Sequence, residues 1–164
     1  MQTLLTPWRF GYISETPLRP VGCFFCAAAE DPDDPERLVV AVSEHHLVML
    51  NRYPYTNGHL MVAPLRHLDD PDNDGPGAIA EFWPLVLRCQ NVLRKAYGPD
   101  GFNMGINLGQ AGGAGVPQHF HFHVVPRWNG DTNFMSVVAE TRLLPEEPIE
   151  IRERLLPLFQ AEEG

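Results

Sequence analysis

Three histidines alternate with apolar residues in the segment Gln118-His-Phe-His-Phe-His-Val-Val-Pro126. If this segment is a strand, successive side chains point to opposite faces, so the imidazoles of His119, His121 and His123 share one face. The intervening apolar side chains then point into the core. Packing alone does not favour three titratable rings in a row, so the pattern indicates a site with a chemical function.

The spacing limits what three rings can do together. At about 3.3 Å per residue the outer two rings begin roughly 13 Å apart, so all three cannot converge on one atom. Two neighbouring rings could share a zinc ion, as the His-x-His of zinc hydrolases does. Alternatively, one ring could bind a metal, the next could attack an electrophile and the third could assist. The pattern itself does not decide between these two assignments of roles to the three rings.

A second pair of reactive residues, Cys23 and Cys26, stands near the start of the chain in the order Cys-Phe-Phe-Cys. The chain has three cysteines, and this spacing indicates metal or redox chemistry more than a disulfide framework. A redox role is typical of a βαβ context, which the predicted elements lack. A tetrahedral zinc site needs two further ligands. The third cysteine, Cys89, falls on a predicted helix and is interpreted as a core residue.

The composition excludes several classes of partner. The chain has 164 residues, 44% of them apolar and 20% charged, which predicts one globular domain over residues 1–164. Its 12 basic and 21 acidic residues give a formal charge of −9, so we expect neither nucleic acid nor an anionic membrane as a partner. No segment approaches the roughly 20 apolar residues of a membrane span, and the start does not read as a signal peptide. We therefore expect a soluble, cytoplasmic protein.

The elements that must position these residues follow from periodicity and turn residues. Short apolar runs predict strands, and apolar residues at helical spacing before Gly98-Pro99 predict one long helix. The predicted strands are residues 38–42, 46–51, 59–63, 102–108 and 119–125, and the predicted helices are residues 77–97 and 149–160. This order is typical of an α+β domain with a mostly antiparallel sheet of about five strands, a long central helix and a C-terminal helix. We expect the catalytic core in residues 20–130 and a helical extension in residues 145–164.

The chain also resembles a known family. The order His119-Phe-His-Phe-His-Val-Val125 matches the histidine triad pattern, in which three histidines alternate with apolar residues. The segment Leu50-Asn-Arg-Tyr-Pro-Tyr-Thr-Asn-Gly-His-Leu-Met-Val-Ala-Pro-Leu-Arg66 resembles the nucleotide-binding strand pair of the family's Fhit branch. Three short segments, residues 8–12, 107–109 and 126–131, look closest to the diadenosine tetraphosphate phosphorylases of actinobacteria. The resemblance extends from Cys23 to Arg127.

The resemblance implies an activity and an assembly. Family members cleave phosphoanhydrides at the α-phosphorus of a nucleotide through a nucleotidyl-histidine intermediate. We therefore expect dinucleoside polyphosphates, such as diadenosine tetraphosphate, as substrates. Family position makes His121 the nucleophile, with His123 and His119 as flanking catalytic residues, and a main-chain carbonyl at the first histidine orients the nucleophile. The resemblance also implies a homodimer built on the long helix and an extended sheet.

The sequence does not decide which molecule accepts the nucleotidyl group in the second half of the reaction. Water, orthophosphate or another phosphate ester could accept the nucleotidyl group. The phosphorylase-like segments favour orthophosphate, with Arg127 and the glycine-rich loop as a second anion site. The alternatives are a phosphoramidate or other nucleotide hydrolase of the same family, a nucleotide-binding module without turnover, and a His-x-His zinc hydrolase.

Several residues are expected to contact the nucleotide, and they are Asn51, His59, Asn107, Gln110, Gly113 and Trp128. Asn51 matches a family position that bonds the ribose, although an Asx turn at the end of a strand is an alternative. His59 matches a histidine beside the active site in the family. The glycine-rich loop, residues 109–115, can present backbone N–H groups to phosphate oxygens. Trp128 could cover the site or pack as an ordinary aromatic residue.

The resemblance also completes a zinc site. Some histidine triad proteins, and the related galactose-1-phosphate uridylyltransferases, close a Cys-x-x-Cys site with two histidines. One stands in a Pro-x-x-His setting, here Pro64-Leu-Arg-His67, and the other is the first histidine of the row. The predicted cofactor is therefore a structural zinc ion held by Cys23, Cys26, His67 and His119. The cysteine pair is not typical of the phosphorylase branch, which leaves a plain hydrolase open.

Overall fold

Five strands form one sheet in the computed structural model, which describes residues 22–131 and 146–162. The strand order is β1-β2-β3-β5-β4, and all neighbouring strands are antiparallel. The strands are β1 (Val39–Val42), β2 (His46–Leu50), β3 (Leu60–Pro64), β4 (Gly101–Ile106) and β5 (Phe122–Arg127). The helices are α1 (Phe24–Glu30), α2 (Pro76–Tyr97) and α3 (Pro148–Gln160). The predicted α+β fold is confirmed, whereas the similarity noted for residues 8–12 lies outside the described residues.

Both faces of the sheet are covered by helices. Side chains alternate along each strand, so β2 and β3 send every second residue to one face and the others to the opposite face. On one face these residues pack with α2 and α3, and on the other face they pack with α1. Every residue of β2 and β3 is consequently buried. This burial explains why both strands are apolar runs and do not alternate with polar residues.

The long helix α2 has clear start and stop signals. Pro76 lies in its first turn, where the missing N–H costs no hydrogen bond. Gly98 ends the helix in a left-handed conformation (φ 55°), and its N–H donates to the Arg94 carbonyl at 3.0 Å. The predicted bounds 77–97 are confirmed to one residue, and Cys89 is fully buried as expected. Across residues 22–131 and 146–162, no helix has both the length and the apolar character that a membrane crossing requires.

The C-terminal helix α3 docks on α2 and β1. A capping box closes its start, because the side chains of Glu147 and Glu150 each accept a hydrogen bond from the other residue's main-chain N–H. Its buried residues belong to the core shared with α2, and they are Ile151, Leu155 and Phe159. Arg152 Nε donates to the Val39 carbonyl at 2.9 Å, which fastens α3 to β1. The predicted helix 149–160 agrees with this element to one residue.

A buried ionic group ties the start of α2 to β2. The fully buried ring of His46 places Nδ1 3.0 Å from Glu81 Oε1 and Nε2 3.0 Å from Asp74 Oδ2. Burial alone would raise the pKa of Glu81. Hydrogen bonds from Ser43, His46 and the His45 main chain outweigh that effect and lower the pKa of Glu81 below its ordinary 4.5. The ionised form of Glu81 therefore contributes to fastening the start of α2 to β2.

Several elements differ from the prediction made from the sequence, and two of the differences concern the site. The sequence does not predict the helix α1. The Cys-Phe-Phe-Cys order indicates the spacing of possible metal ligands, but it gives no information about helical periodicity. The last strand begins at Phe122, not at residue 119. The Phe120 N–H donates to the Leu68 carbonyl at 2.7 Å, and the His119 carbonyl accepts from a side chain. These groups are therefore not available for the β5 ladder, and His119 lies in the irregular segment that leads into the strand.

Candidate active site and metal centre

His121 lies at the entrance to β5 and is buried. Its Nδ1–H donates to the His119 main-chain oxygen at 3.1 Å. A carbonyl oxygen only accepts, so the proton of the neutral ring stays on Nδ1 and Nε2 carries the lone pair. Burial lowers the pKa of His121, although the hydrogen bond to His119 opposes this effect. The ring is therefore neutral near pH 7, which is the form that acts as a nucleophile.

His123 is held by a second buried histidine, His59. The Tyr55 main-chain N–H donates to His59 Nδ1 at 3.1 Å, so the proton of the His59 ring lies on Nε2. This Nε2 is 2.9 Å from His123 Nδ1, which must therefore accept. The proton of a neutral His123 then lies on its own Nε2. The ring centroids of His121 and His123 are 4.9 Å apart, so a nucleophilic ring and an N–H donor ring are neighbours.

Asn51 comes directly after β2 and joins this cluster. Its side-chain oxygen accepts from the Tyr53 N–H at 2.9 Å, which is the Asx turn that the sequence allows. Its side-chain nitrogen is 3.5 Å from His59 Nδ1, and its main-chain N–H donates to the His59 carbonyl at 2.9 Å. The structure therefore brings Asn51, His59 and His123 together.

The register of the last two strands places the start of the glycine-rich loop beside the start of β5. Ile106, the last residue of β4, lies opposite Phe122, the first residue of β5. Asn107 follows Ile106 directly, and His121 precedes Phe122 directly. The loop that begins at Asn107 therefore starts beside the segment that carries His121.

The loop itself is shaped by its glycines. A Cβ at Gly112 would stand 2.2 Å from the Leu108 carbonyl oxygen, so only glycine fits there. Gly113 has a positive φ of 82°, and its N–H donates to the Gln110 carbonyl at 3.0 Å. Gln110 and Gly113 are exposed. Gly113 therefore sets the conformation of the loop and does not direct that N–H toward a phosphate.

Two residues predicted for the site lie at the other end of β5. Arg127 pairs with Gly101, the first residue of β4, and its guanidinium binds both carboxylate oxygens of Asp131. Trp128 follows His121 by seven residues, which at about 3.3 Å per residue is roughly 23 Å of extended chain. Within one chain, both residues therefore lie away from His121, and the roles expected for Trp128 and Arg127 stay predictions.

The four residues predicted as zinc ligands lie together. His119 Nδ1 is 3.2 Å from Cys23 Sγ and 3.6 Å from Cys26 Sγ, and His67 Nδ1 is 3.2 Å from Cys26 Sγ. The four ligand atoms all lie within 4.8 Å of one another. His119 Nε2–H donates to the Pro64 carbonyl at 2.9 Å, as metal-ligating histidines commonly do with their second nitrogen. Two sulfurs and two imidazole nitrogens in this arrangement fit a tetrahedral zinc ion.

The sequence does not predict that two further residues, Phe25 and Tyr55, contact the histidines of the site. Phe25 is fully buried, and its ring centroid lies 5.0 Å from that of His119 and 4.9 Å from that of His121. The Tyr55 ring stacks on His59 at 4.9 Å. The position of Phe25 between two expected zinc ligands is a signal that would have placed it near His119. Tyr55 has no comparable signal, because its contact depends on the turn after β2.

Comparisons with known proteins agree with this geometry. The HIT domain model matches residues 34–130. The AP-4-A phosphorylase of Mycobacterium tuberculosis is 34% identical over 152 residues, which cover 89% of this chain and 78% of that protein.

Solved structures give the same result. A Zn-bound histidine triad family protein from Mycobacterium smegmatis superposes with a TM-score of 0.68 at 28% identity, covering 87% of this chain and 96% of that one. The diadenosine triphosphate hydrolase of Plasmodium falciparum superposes with a TM-score of 0.62 at 15% identity, covering 79% of this chain and 80% of that one, which supports the fold alone. With its alternating histidines at the start of β5 and a matched domain model over most of the sheet, the chain belongs to the HIT domain family.

Proposed function

We propose that this protein cleaves dinucleoside polyphosphates, such as diadenosine tetraphosphate, through a nucleotidyl-His121 intermediate. The observation that carries the proposal is the hydrogen bond from His121 Nδ1 to the His119 carbonyl, which leaves the lone pair on Nε2 of a buried, neutral ring. The relative from M. tuberculosis, named an AP-4-A phosphorylase, supports the substrate class.

The first step is attack by His121 Nε2 on the α-phosphorus of the substrate. A nitrogen–phosphorus bond forms, and the bond to the leaving polyphosphate breaks. The His121 ring becomes positively charged, and the His119 carbonyl stabilises that charge through the Nδ1–H hydrogen bond. His123 carries its proton on Nε2 and can donate to an oxygen at the reacting phosphorus. The acceptor then attacks the nucleotidyl group and restores neutral His121.

The two acceptors give different products. Orthophosphate would convert diadenosine tetraphosphate into ADP and ATP, whereas water would give AMP and ATP. The name of the M. tuberculosis relative supports phosphorolysis. Because Arg127 is bound to Asp131, the orthophosphate would be held by the loop after β4 and not by that guanidinium.

Labelled orthophosphate tests this choice directly. The protein is incubated with diadenosine tetraphosphate and labelled orthophosphate, and the products are separated. Phosphorolysis predicts label in ADP. Production of unlabelled AMP and ATP at a rate independent of millimolar phosphate would favour the hydrolase. Failure to turn over any dinucleoside polyphosphate or nucleoside phosphoramidate would leave a nucleotide-binding module.

The rival His-x-His zinc hydrolase fits the geometry less well. In such an enzyme His119 and His121 would share one catalytic ion. His119 directs Nδ1 to the cysteine sulfurs and donates Nε2–H to Pro64, so neither of its nitrogens is directed to an ion shared with His121. The same contacts support a zinc ion bound by Cys23, Cys26, His67 and His119, apart from the reacting phosphorus. A ratio of one zinc ion per purified chain is expected by elemental analysis.

We further propose a homodimer. The solvent side of α2 carries an apolar stripe formed by Ile79, Trp83 and Leu87, which are 57%, 50% and 43% exposed. Met104 on β4 continues this surface, since Gln90 of α2 contacts its sulfur at 3.4 Å. Among the described residues β4 is an edge strand. A second copy that covers the stripe and pairs with β4 would satisfy both features.

A further inference from the structure

The helix α1 is in contact with both the proposed metal centre and the proposed nucleophile, His121. Cys23 precedes its first residue, and Cys26 lies in its first turn. Between them Phe25 packs its ring against the rings of both His119 and His121. One short helix therefore supplies two predicted zinc ligands and one wall around the nucleophile.

Little within α1 itself stabilises it. The helix has seven residues, Cys23 makes no side-chain capping hydrogen bond, and the first turn has no acidic residue. Isolated helices shorter than about 12 residues are marginal in water, so α1 depends on tertiary contacts. Its buried side chains are Phe25 and Ala28. Phe24 and Ala29 pack against the same apolar cluster, and Cys23 and Cys26 add contacts with His67 and His119.

His119 connects these contacts to the nucleophile. Its ring faces the cysteines through Nδ1 and is fixed to Pro64 through Nε2–H. Its main-chain oxygen accepts the Nδ1–H of His121 at 3.1 Å. The fully buried side chain leaves His119 little room to move without changing both contacts. A displacement of the ring is therefore transmitted to the hydrogen bond that sets the tautomer of His121.

We propose that the Cys23–Cys26–His67–His119 cluster fastens α1 over His121, so that metal occupancy determines whether the nucleophile is oriented and shielded from water. This inference rests on the proposed zinc site and on the proposed role of His121. When bound, zinc would supply a cross-link between α1, the segment after β3 and the segment before β5, and no chemistry at phosphorus. His119 and Phe25 are then positioning residues. Without the cross-link, Phe25 separates from the histidine rings and His121 loses its fixed hydrogen bond.

Hydrogen exchange measures the fastening without any substrate. Wild-type protein is compared as purified, after chelation, and after zinc is returned. We expect the amides of α1 to exchange at least about tenfold faster in the metal-free protein, while those of α2 change little, because the cross-link does not touch α2. The imidazole Nδ1–H resonance of His121, assigned by its loss in His121→Gln, should broaden in the metal-free protein and return with zinc.

A variant separates ligand loss from damage to the core. His67 is exposed, so His67→Ala should fold, lose zinc and reproduce the metal-free exchange and resonance. The matched control is His45→Ala, a histidine outside the cluster, which should behave as wild type. Turnover should fall about tenfold in His67→Ala, with kcat affected more than KM.

Two results would overturn the coupling. One is a wild-type protein that takes up no zinc. The other is a metal-free protein whose α1 exchange and His121 resonance match those of the loaded form, whatever its turnover. If both signals change but no form cleaves a nucleotide, the coupling holds and the proposed function fails.

Discussion

The chemistry of the site depends on which nitrogen of each ring carries the proton. Backbone groups decide this in two of the rings, since the His119 carbonyl fixes His121 and the Tyr55 N–H fixes His59. His59 Nε2–H then donates to His123 Nδ1 at 2.9 Å, so the proton of a neutral His123 lies on its own Nε2. The result is a lone pair on one ring and an N–H on its neighbour. Nucleophilic attack and proton donation need that combination.

Replacing the nucleophile should abolish the reaction without unfolding the protein. In His121→Ala the attacking nitrogen is absent, so covalent catalysis is lost and turnover should fall by about a thousandfold or more. Nucleotide binding, measured by calorimetry, should remain close to the wild-type affinity. A variant that retains more than about a tenth of the wild-type rate would remove His121 from this role.

The contact between His59 and His123 should matter for rate more than for affinity. In His59→Phe a planar aromatic ring remains but no longer donates to His123 Nδ1, so the His123 proton is not held on Nε2. We expect kcat to fall about tenfold to a hundredfold, and KM to change little. Steady-state kinetics with a fluorogenic nucleotide measures both quantities. His45→Phe serves as the control, and an unchanged kcat in His59→Phe would contradict the assignment.

The sequence predicts the members of the site better than their contacts. Alternation along a strand identifies His119, His121 and His123 as candidate site residues. The resemblance to the family predicts the main-chain carbonyl that orients His121. The sequence does not predict the contact of Phe25 with the rings, which depends on the packing of α1 against the sheet. Nor does the sequence predict the distance between Trp128 and His121, which depends on how far β5 extends between them.

At the scale of elements, the antiparallel order of the sheet assembles the site from distant segments. The end of β2 and the start of β3 lie level with the middle of β5, and the end of β4 lies beside the start of β5. Periodicity predicts α2 and α3 to within one residue, because their apolar faces and end signals are local. The start of β5 does not depend on local sequence alone. The Phe120 N–H donates to the Leu68 carbonyl and the His119 carbonyl accepts from His121 Nδ1–H, so residues 119–121 do not join the ladder.

The ionic group at the start of α2 predicts a dependence of stability on pH. The folded pKa of Glu81 is lowered, so its ionised form stabilises the fold above the ordinary pKa of 4.5. That stabilisation is lost as pH falls below 4.5 through the lower, folded pKa. Glu81→Gln should lose about 1–3 kcal/mol near pH 7, because His46 loses an ionised acceptor. The difference from wild type should shrink in acid.

Thermal unfolding from pH 7 down to pH 3 measures this difference. Glu153→Gln, an exposed position on α3, is the matched control and should follow the wild-type curve. A constant gap between Glu81→Gln and wild type across this range would show that ionised Glu81 does not provide the stabilisation.

At the scale of the whole molecule, charge and surface apolarity indicate different partners. The formal charge of −9 disfavours nucleic acid, so the proposed anionic substrate would have to be bound by local groups such as backbone N–H donors. The apolar stripe on α2 is about half exposed when only the described residues are considered. Composition predicts the net charge. The apolar stripe can be recognised only once the structure shows which face of α2 is buried.

The proposed dimer predicts that one charge on the stripe is sufficient to separate the subunits. Leu87→Glu places a carboxylate on a surface that a second copy would bury, so we expect a monomer by analytical ultracentrifugation. Helix content should stay unchanged, because Leu87 is 43% exposed and lies outside the core. Gln160→Glu adds the same charge on the exposed side of α3 and should remain dimeric. A wild-type protein that sediments as a monomer would contradict the dimer itself.

The covalent intermediate on His121 is the central claim, and peptide mass spectrometry after brief turnover tests it most directly. The protein is mixed with excess diadenosine tetraphosphate without phosphate, quenched in alkali, which preserves a nitrogen–phosphorus bond, and digested. We predict an adenylyl group on His121 in the wild type and none in His121→Ala. An adenylyl group on His123 or another residue, or full turnover with no adenylated peptide at any time, would contradict the claim.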